Sequence, residues 1–503
     1  MPKFSFWIRR LTPVRHLLIN QRISDNFRRP MLFNSLEFFI LLAATFSVYY
    51  LPALNSFQVP ILLTSSLVFY GRHQPALLCL LLLSILVNAI SSYFVYYGKQ
   101  PTRFSWAALG VVVNLSILII FKYSKLIYGT FFSSSTPAGS ISAFLISLPL
   151  PIGISFFTFQ GISLVVDTYR MKRDGKKLFQ IQRSFFTHLY TIAFFKSFFP
   201  QLVSGPIVKA REFLPQIKNK SFKDIRWEKI FRTLVLGYFL KTVVADQLKD
   251  QTFWITPSFF QNCSSLTLVI LLFGYSIQIY ADFAGYSLIA IGTAEMFGYS
   301  LPINFNFPYI SRSFSEFWTR WHISLSSFLK QYLYIPLGGN RHGELRTYFN
   351  LFIVMFLGGL WHGATWSYAV WGIFHGILLG AERLIKQNSP SSVESGVLKL
   401  TRLLIIFSMV TFGWLLFKLP DFKDALSFLK CLFTNLHLAH SKMIIFNVII
   451  FSIPVFLYHF NAWLRENKNF RLPVFVEASV YGALLFLILT NRGVPGDFIY
   501  FQF

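Results

Sequence analysis

Residues Ser315 to Gly376 read SEFWTRWHISLSSFLKQYLYIPLGGNRHGELRTYFNLFIVMFLGGLWHGATWSYAVWGIFHG. Two of the histidines here, His322 and His362, lie forty positions apart in unlike settings. Around the first, Phe314, Phe317, Trp318, Trp321, Leu325, Phe328, Leu329 and Tyr332 recur at helical spacing, with Glu316, Arg320, Ser324, Ser327 and Gln331 between them. That period predicts one amphipathic helix, ended by Pro336 and the Gly338–Gly339 pair. The second lies in a nearly uncharged run from Tyr348 to Ala381, long enough to enter a bilayer. In an unbroken helix Gly359, Gly363 and Trp366 share its face. Glycines beside an imidazole predict a slot without side chains, fit for a thin reactant. An ionisable group in an apolar span points to function. On burial alone a core histidine bonded to a carbonyl stays equally open.

Working outward, the whole chain is apolar. Of 503 residues, 54% are hydrophobic and only 13% charged, about half the charge of a soluble domain. No stretch has the composition of a soluble domain. Repeated apolar runs predict an all-α, polytopic integral membrane protein, because backbone groups inside a bilayer must bond within the chain. Candidate spans are Leu32–Pro52, Val59–Gly71, Pro75–Tyr97, Phe104–Phe121, Ile141–Val166, Phe185–Leu202, Ile230–Val244, Leu266–Phe283 and Tyr286–Tyr299. Tyr348–Leu384, read as one span or two short helices, follows, then Leu400–Leu419, Met443–Phe460 and Val474–Leu489. We expect about 11 crossings, with re-entrant or amphipathic helices where a run such as Tyr286–Tyr299 is too short.

The net charge is +26. The bases sit in short loops between apolar runs, so lipid headgroups are the expected counter-charge and nucleic acid is not. The most basic segments, Arg170–Arg183, Lys209–Arg232 and Arg312–Arg346, are expected in the cytoplasm. Residues 1–30 are a basic extension with no apolar core for a signal peptide, read as a surface segment or a start-codon artefact. The three scattered cysteines suit neither a disulfide framework nor a zinc site. A transporter should show a two-half repeat, and none is seen.

SEFWTRWHISLSSFLKQYLYIPLGGNR followed by GGLWHGATW resembles the membrane-bound O-acyltransferase (MBOAT) family, and within it the bacterial branch that includes the alginate O-acetyltransferases. So do Pro200–Ile217, Asp282–Tyr309 and the terminal FIYFQF. The resemblance runs from about Met31 to Phe503, making residues 31–503 one multi-helix membrane domain. It implies a bacterial plasma-membrane enzyme that moves an acetyl or other short acyl group from a cytoplasmic acyl-CoA or acyl-carrier thioester to a hydroxyl of a polysaccharide or cell-wall glycan. An exported partner protein is implied as well, and no bound cofactor or metal. A lipid or protein acyltransferase is the alternative within the class.

His362 falls on the family's membrane-embedded histidine and is expected to be the general base, since neutral imidazole is suited to taking a hydroxyl proton near pH 7. His322 falls on the second histidine of the motif, with Arg320 and Trp321 beside it. Trp361 neighbours His362, and both tryptophans and Arg320 are candidate substrate contacts. Asn304 and Asn306 are amides that would polarise a carbonyl or cap a broken helix. Buried Asp282 and Glu295 need partners, for which Arg312 and Arg320 are expected. Arg341, His342 and Arg346 would attract phosphate or headgroups. His375 reads as packing. The family often has an Arg-Asp pair where this chain has Lys330-Gln331, so no catalytic role is assigned there.

Overall fold

The computed structural model describes residues 31–72, 75–132, 141–202, 205–388, 396–470, 472–491, 493 and 496. The basic extension 1–30 and the terminal FIYFQF lie outside them. Among the described residues all regular structure is helical. The helices that build the site are α1 (Pro75–Tyr97), α2 (Gln100–Leu118), α3 (Ser124–Phe131), α4 (Ile154–Asp174), α5 (Trp227–Tyr238), α6 (Ser265–Met296), α7 (Phe314–Arg320) and α8 (Ile323–Leu329). They continue as α9 (Glu344–His362), α10 (Trp366–Asn388), α11 (Gly396–Lys418) and α12 (Lys442–Lys468). Six segments among the described residues are long and apolar enough to cross a membrane: Pro52–Gly71, α1, the continuous α2–α3 segment, α6, α11 and α12. Exposed apolar side chains on these helices face outward, as a lipid solvent permits.

The spine is α6. Its 32 residues span about 48 Å at 1.5 Å per residue. The sequence predicted two segments here, broken near Gly285. The structure shows one helix, and the glycine serves a close approach instead. A Cβ on Gly285 would lie 2.9 Å from both the Gly237 carbonyl oxygen and the Lys241 amide nitrogen. That segment alongside, Phe239–Ala245, is a π-turn, and it delivers Lys241 to α6. The Lys241 ammonium sits 2.7 Å from Asp282 and 2.8 Å from Asp246, all three buried. Glu295 meets Lys229. The carboxylates are paired as expected, but with lysines of the neighbouring helix rather than Arg312 or Arg320. Loop arginines close in sequence lose to a lysine brought alongside by packing.

The basic segments gather at one end of the bundle. Lys220 packs over Gly298 just beyond the C-terminus of α6, and the Gln216 amide donates to the Ser300 carbonyl at 3.0 Å. Arg170 donates to the Gln331 carbonyl at 3.0 Å, and Arg211 donates to its side-chain oxygen. All three basic stretches therefore meet around Gln331, at one end of the bundle.

α9 and α10 form a tight hairpin. The Tyr348–Leu384 run is two helices, parted at Gly363–Thr365. The glycines beside His362 do not leave a slot. A Cβ on Gly359 would strike the Tyr368 carbonyl oxygen and the Gly372 backbone, one on Gly372 would strike Met355 O, and one on Gly363 would strike the Tyr368 ring. They let two helices touch backbone to backbone. Gly359→Ala would gain about 1 kcal/mol of helix propensity but overpack against immobile backbone, at about 1–3 kcal/mol. We expect a lower thermal midpoint in detergent and reduced membrane accumulation. A variant as stable as the parent would show that the hairpin can open at no cost.

Candidate active site

The apolar period through His322 does not make one helix. α7 stops at Arg320, Trp321 is extended, and His322 takes a left-handed backbone (φ 44°, ψ 52°) as the cap of α8. A non-glycine residue there costs about 1–3 kcal/mol and persists only where its surroundings hold it. Asn304 holds it. Its main-chain oxygen accepts from Ile323 N at 2.9 Å, and its side-chain oxygen accepts from Ser324 N at 3.3 Å and Ser324 Oγ at 2.8 Å. Thus Asn304 caps the broken helix, from eighteen residues away.

The same oxygen lies 2.9 Å from His322 Nδ1. A backbone N–H can only donate, so the bond from Ser324 N identifies this Asn304 atom as the carbonyl oxygen. His322 Nδ1 is then the protonated nitrogen, and neutral His322 carries its lone pair on Nε2. Asn304 Nδ2 donates to Ser287 Oγ at 3.1 Å, which anchors the amide on α6. The Phe283 ring closes over the imidazole edge-on, with centroids 4.7 Å apart.

His362 is the last residue of α9. Its ring centroid is 6.0 Å from that of His322. Both histidines are buried. Trp371 at 5.3 Å and Phe417 at 5.2 Å wall the His362 ring.

A cavity of about 470 Å³ reaches His362, and His322 stands behind it, outside the lining. On α9 its lining residues are Leu351, Val354, Met355, Gly358 and His362, spaced along one helical face. From Leu351 to His362 that face runs about 16 Å. Opposite it stand Ile323, Ser326, Lys330 and Tyr334, and α10 contributes Trp371 and Leu379. Lys330 and Tyr334 belong to a second π-turn, Lys330–Tyr334. The cavity therefore starts near the basic end of the bundle and ends on the His362 imidazole. The substrate-sized opening foreseen beside Gly359 and Gly363 exists, but on the Gly358 face. A helix presents only one of two adjacent glycines to a given side, and periodicity alone does not say which.

The remaining candidates lie outside the cavity wall. Trp361 packs with Phe156, Phe159 and Phe328, and its ring borders both histidines, 5.7 Å from that of His322 and 5.1 Å from that of His362. Trp321 is fully buried against Trp414, centroids 4.8 Å apart. Neither lines the cavity. Arg320 is a clamp, bonding Glu466 on α12 through both terminal nitrogens at 3.0 Å and Glu316 through Nε at 3.0 Å. Asn306 exchanges backbone bonds with it, its N donating to Arg320 O at 2.9 Å and its O accepting from Arg320 at 3.2 Å. His375 packs edge-on among Trp318, Trp371 and Phe374, a packing position as expected. Lys122 went unseen in the sequence, where the span was expected to end at Phe121. The helix instead passes through a π-turn, Ile119–Tyr123, into α3. The signal was a pair of lysines, Lys122 and Lys125, between apolar runs.

The arrangement provides two neighbouring imidazoles, one oriented through a fixed amide and the other at the inner end of a cavity. A model of the membrane-bound O-acyltransferase family matches residues 139–394, which include Asn304, His322 and His362. A peptidoglycan O-acetyltransferase of Helicobacter pylori is 38% identical over 395 residues, 73% of this chain and 72% of its own. A probable alginate O-acetylase of Pseudomonas aeruginosa is 34% identical over 411 residues, 80% of this chain and 75% of its own. A teichoic acid D-alanyltransferase of Bacillus subtilis is 27% identical over 412 residues, 76% of this chain and 97% of its own. With the helical membrane architecture, the match to the family model and relatives of this identity and coverage, the chain belongs to the membrane-bound O-acyltransferase family and is an acyltransferase.

Proposed function

We propose that the protein moves an acetyl or other short acyl group from a cytoplasmic thioester to a hydroxyl of an extracytoplasmic polysaccharide or cell-wall glycan, in a bacterial plasma membrane. The observation that carries this reading is the channel that begins at the basic end and ends on His362, 6.0 Å from His322. Lys330 in its lining and the basic segments near that end suit a donor with phosphates, whether CoA or an acyl carrier. The relatives named above act, by their names, on peptidoglycan, alginate and teichoic acid, and a glycan hydroxyl is their shared acceptor chemistry. An exported partner that completes the transfer is part of the proposal.

In this mechanism His362 takes the acceptor's hydroxyl proton as the oxygen attacks the thioester carbonyl carbon. The C–O bond forms, the tetrahedral intermediate collapses, the C–S bond breaks, and the leaving thiolate takes the proton from the imidazolium. His322 is set by Asn304 to accept at Nε2, so it does not polarise the carbonyl. It orients a donating group, an amide N–H of the thioester arm.

The test uses purified protein in liposomes, with a labelled acetyl thioester on the side of the basic loops, and an oligosaccharide with the exported partner protein on the other. Label in ester linkage on the sugar is the expected result. Label found only on lipid or protein hydroxyls would replace the acceptor with the alternative class.

A further inference from the structure

A helix leaves its last four carbonyls without partners inside it, and a bilayer supplies no water to replace them. For α9 these are the carbonyls of Gly359 to His362, the turn that carries the candidate base. Two consecutive residues of the segment joining α2 and α3 take three of them. Tyr123 Oη donates to Leu360 O at 2.7 Å. Lys122 Nζ donates to Trp361 O and, at 3.4 Å, to His362 O. The same ammonium reaches Ser155 Oγ on α4 at 3.4 Å and lies 5.7 Å from the centroid of the Trp361 ring. Both residues lie in the Ile119–Tyr123 π-turn, whose extra residue re-aims neighbouring side chains within a helix. A cation there also meets the negative end of the α9 dipole.

Lysines inside apolar spans are costly and are kept for a reason. This one is placed on the backbone of the His362 turn and not on its ring. It stands outside the stretch 139–394 that matches the family model. We propose that Lys122 is a positioning residue for the reaction at His362: with Tyr123 it clamps the last turn of α9 to α4 and the α2–α3 segment, and so sets where the imidazole stands at the end of the channel. The proposal rests on His362 being the base.

Lys122→Met keeps the side-chain length and removes the donor. Its kcat is expected to fall about 10- to 100-fold, the scale of a misplacement of about 1 Å at a reacting group, with the KM for the thioester donor within about twofold of the parent. Lys122→Arg, which keeps charge and donors, should recover to within about fivefold of the parent. In a His362→Ala background Lys122→Met should cost no more than about twofold, because the group it positions is gone. A kcat within twofold of the parent for Lys122→Met, or a full loss that adds to that of His362→Ala, would overturn the proposal. If Lys122→Met does not reach the membrane, Tyr123→Phe decides. It removes one donor from the same turn and should lower kcat about 3- to 10-fold, and an unchanged kcat would count against the clamp. A readout that needs no turnover separates this from the acceptor question. Peptide-resolved carbethoxylation of His362 should be faster in Lys122→Met and Tyr123→Phe than in the parent, and equal rates would argue against a clamp even if the protein were inert toward every glycan tried.

Discussion

His362→Ala protein is expected to insert, to purify with an intact fold, and to transfer acyl groups at least about a hundredfold more slowly than the parent. That is the usual scale for removing a general base. The imidazole is the only lining group of the cavity that can take a proton near neutral pH. It ends a helix whose backbone approach to α10 is made by Gly359, Gly363 and Gly372, the imidazole adding ring contacts to Trp371 and Phe417. Removal should therefore spare the hairpin. The same model gives a pH dependence. Only neutral imidazole has the lone pair that accepts the hydroxyl proton. Parent activity is therefore complete on the alkaline side of the His362 titration and is lost as the pH falls through it. Initial rates from alkaline to acid pH, with membrane insertion checked in parallel, measure both. Full-rate transfer by a well-folded His362→Ala protein would remove the mechanism.

His322→Ala comes second, with an expected loss of about 10- to 100-fold seen mainly as poorer use of the thioester donor. Its geometry supplies a sharper version through Asn304. That residue holds Nδ1 of the imidazole at 2.9 Å and caps α8 with the same oxygen. Asn304→Ala removes both functions. Loss of the cap costs about 1 kcal/mol of stability, and release of the imidazole from its left-handed perch should reproduce most of the His322→Ala activity defect. The two changes act on one group, so the double variant should be little worse than the worse single variant. Activities that multiply would show that Asn304 serves the fold and His322 acts without it.

Much of this was legible in the residues. Low charge and bilayer-length apolar runs left only a helical membrane protein, because lipid satisfies no backbone group. The motif around His322 and His362 carried the family and the pairing of the two histidines, since both lie in long stretches of specific sequence. The polarity of the bundle followed from where lysine and arginine collect, and the structure gathers those segments around Gln331.

What tertiary structure decided was every interaction between helices distant in sequence. Periodicity ran unbroken through Trp321 and His322, yet the backbone turns there because Asn304, from another segment, takes the amides that a continuing helix would use. Gly285 looked like a break in α6 and proved to be the contact for Lys241's helix. Gly359 looked like room for a reactant and proved to be room for a backbone, while its neighbour Gly358 faces the channel. Lys122 looked like a loop lysine after the end of a span, but it finds the carbonyls of α9 some 240 positions away. A single sequence records the period of a helix and the chemistry of each side chain. It does not record which helix lies alongside, and in an apolar bundle that neighbour decides whether a glycine is a hinge, a slot or a seam, and whether a buried charge is paired.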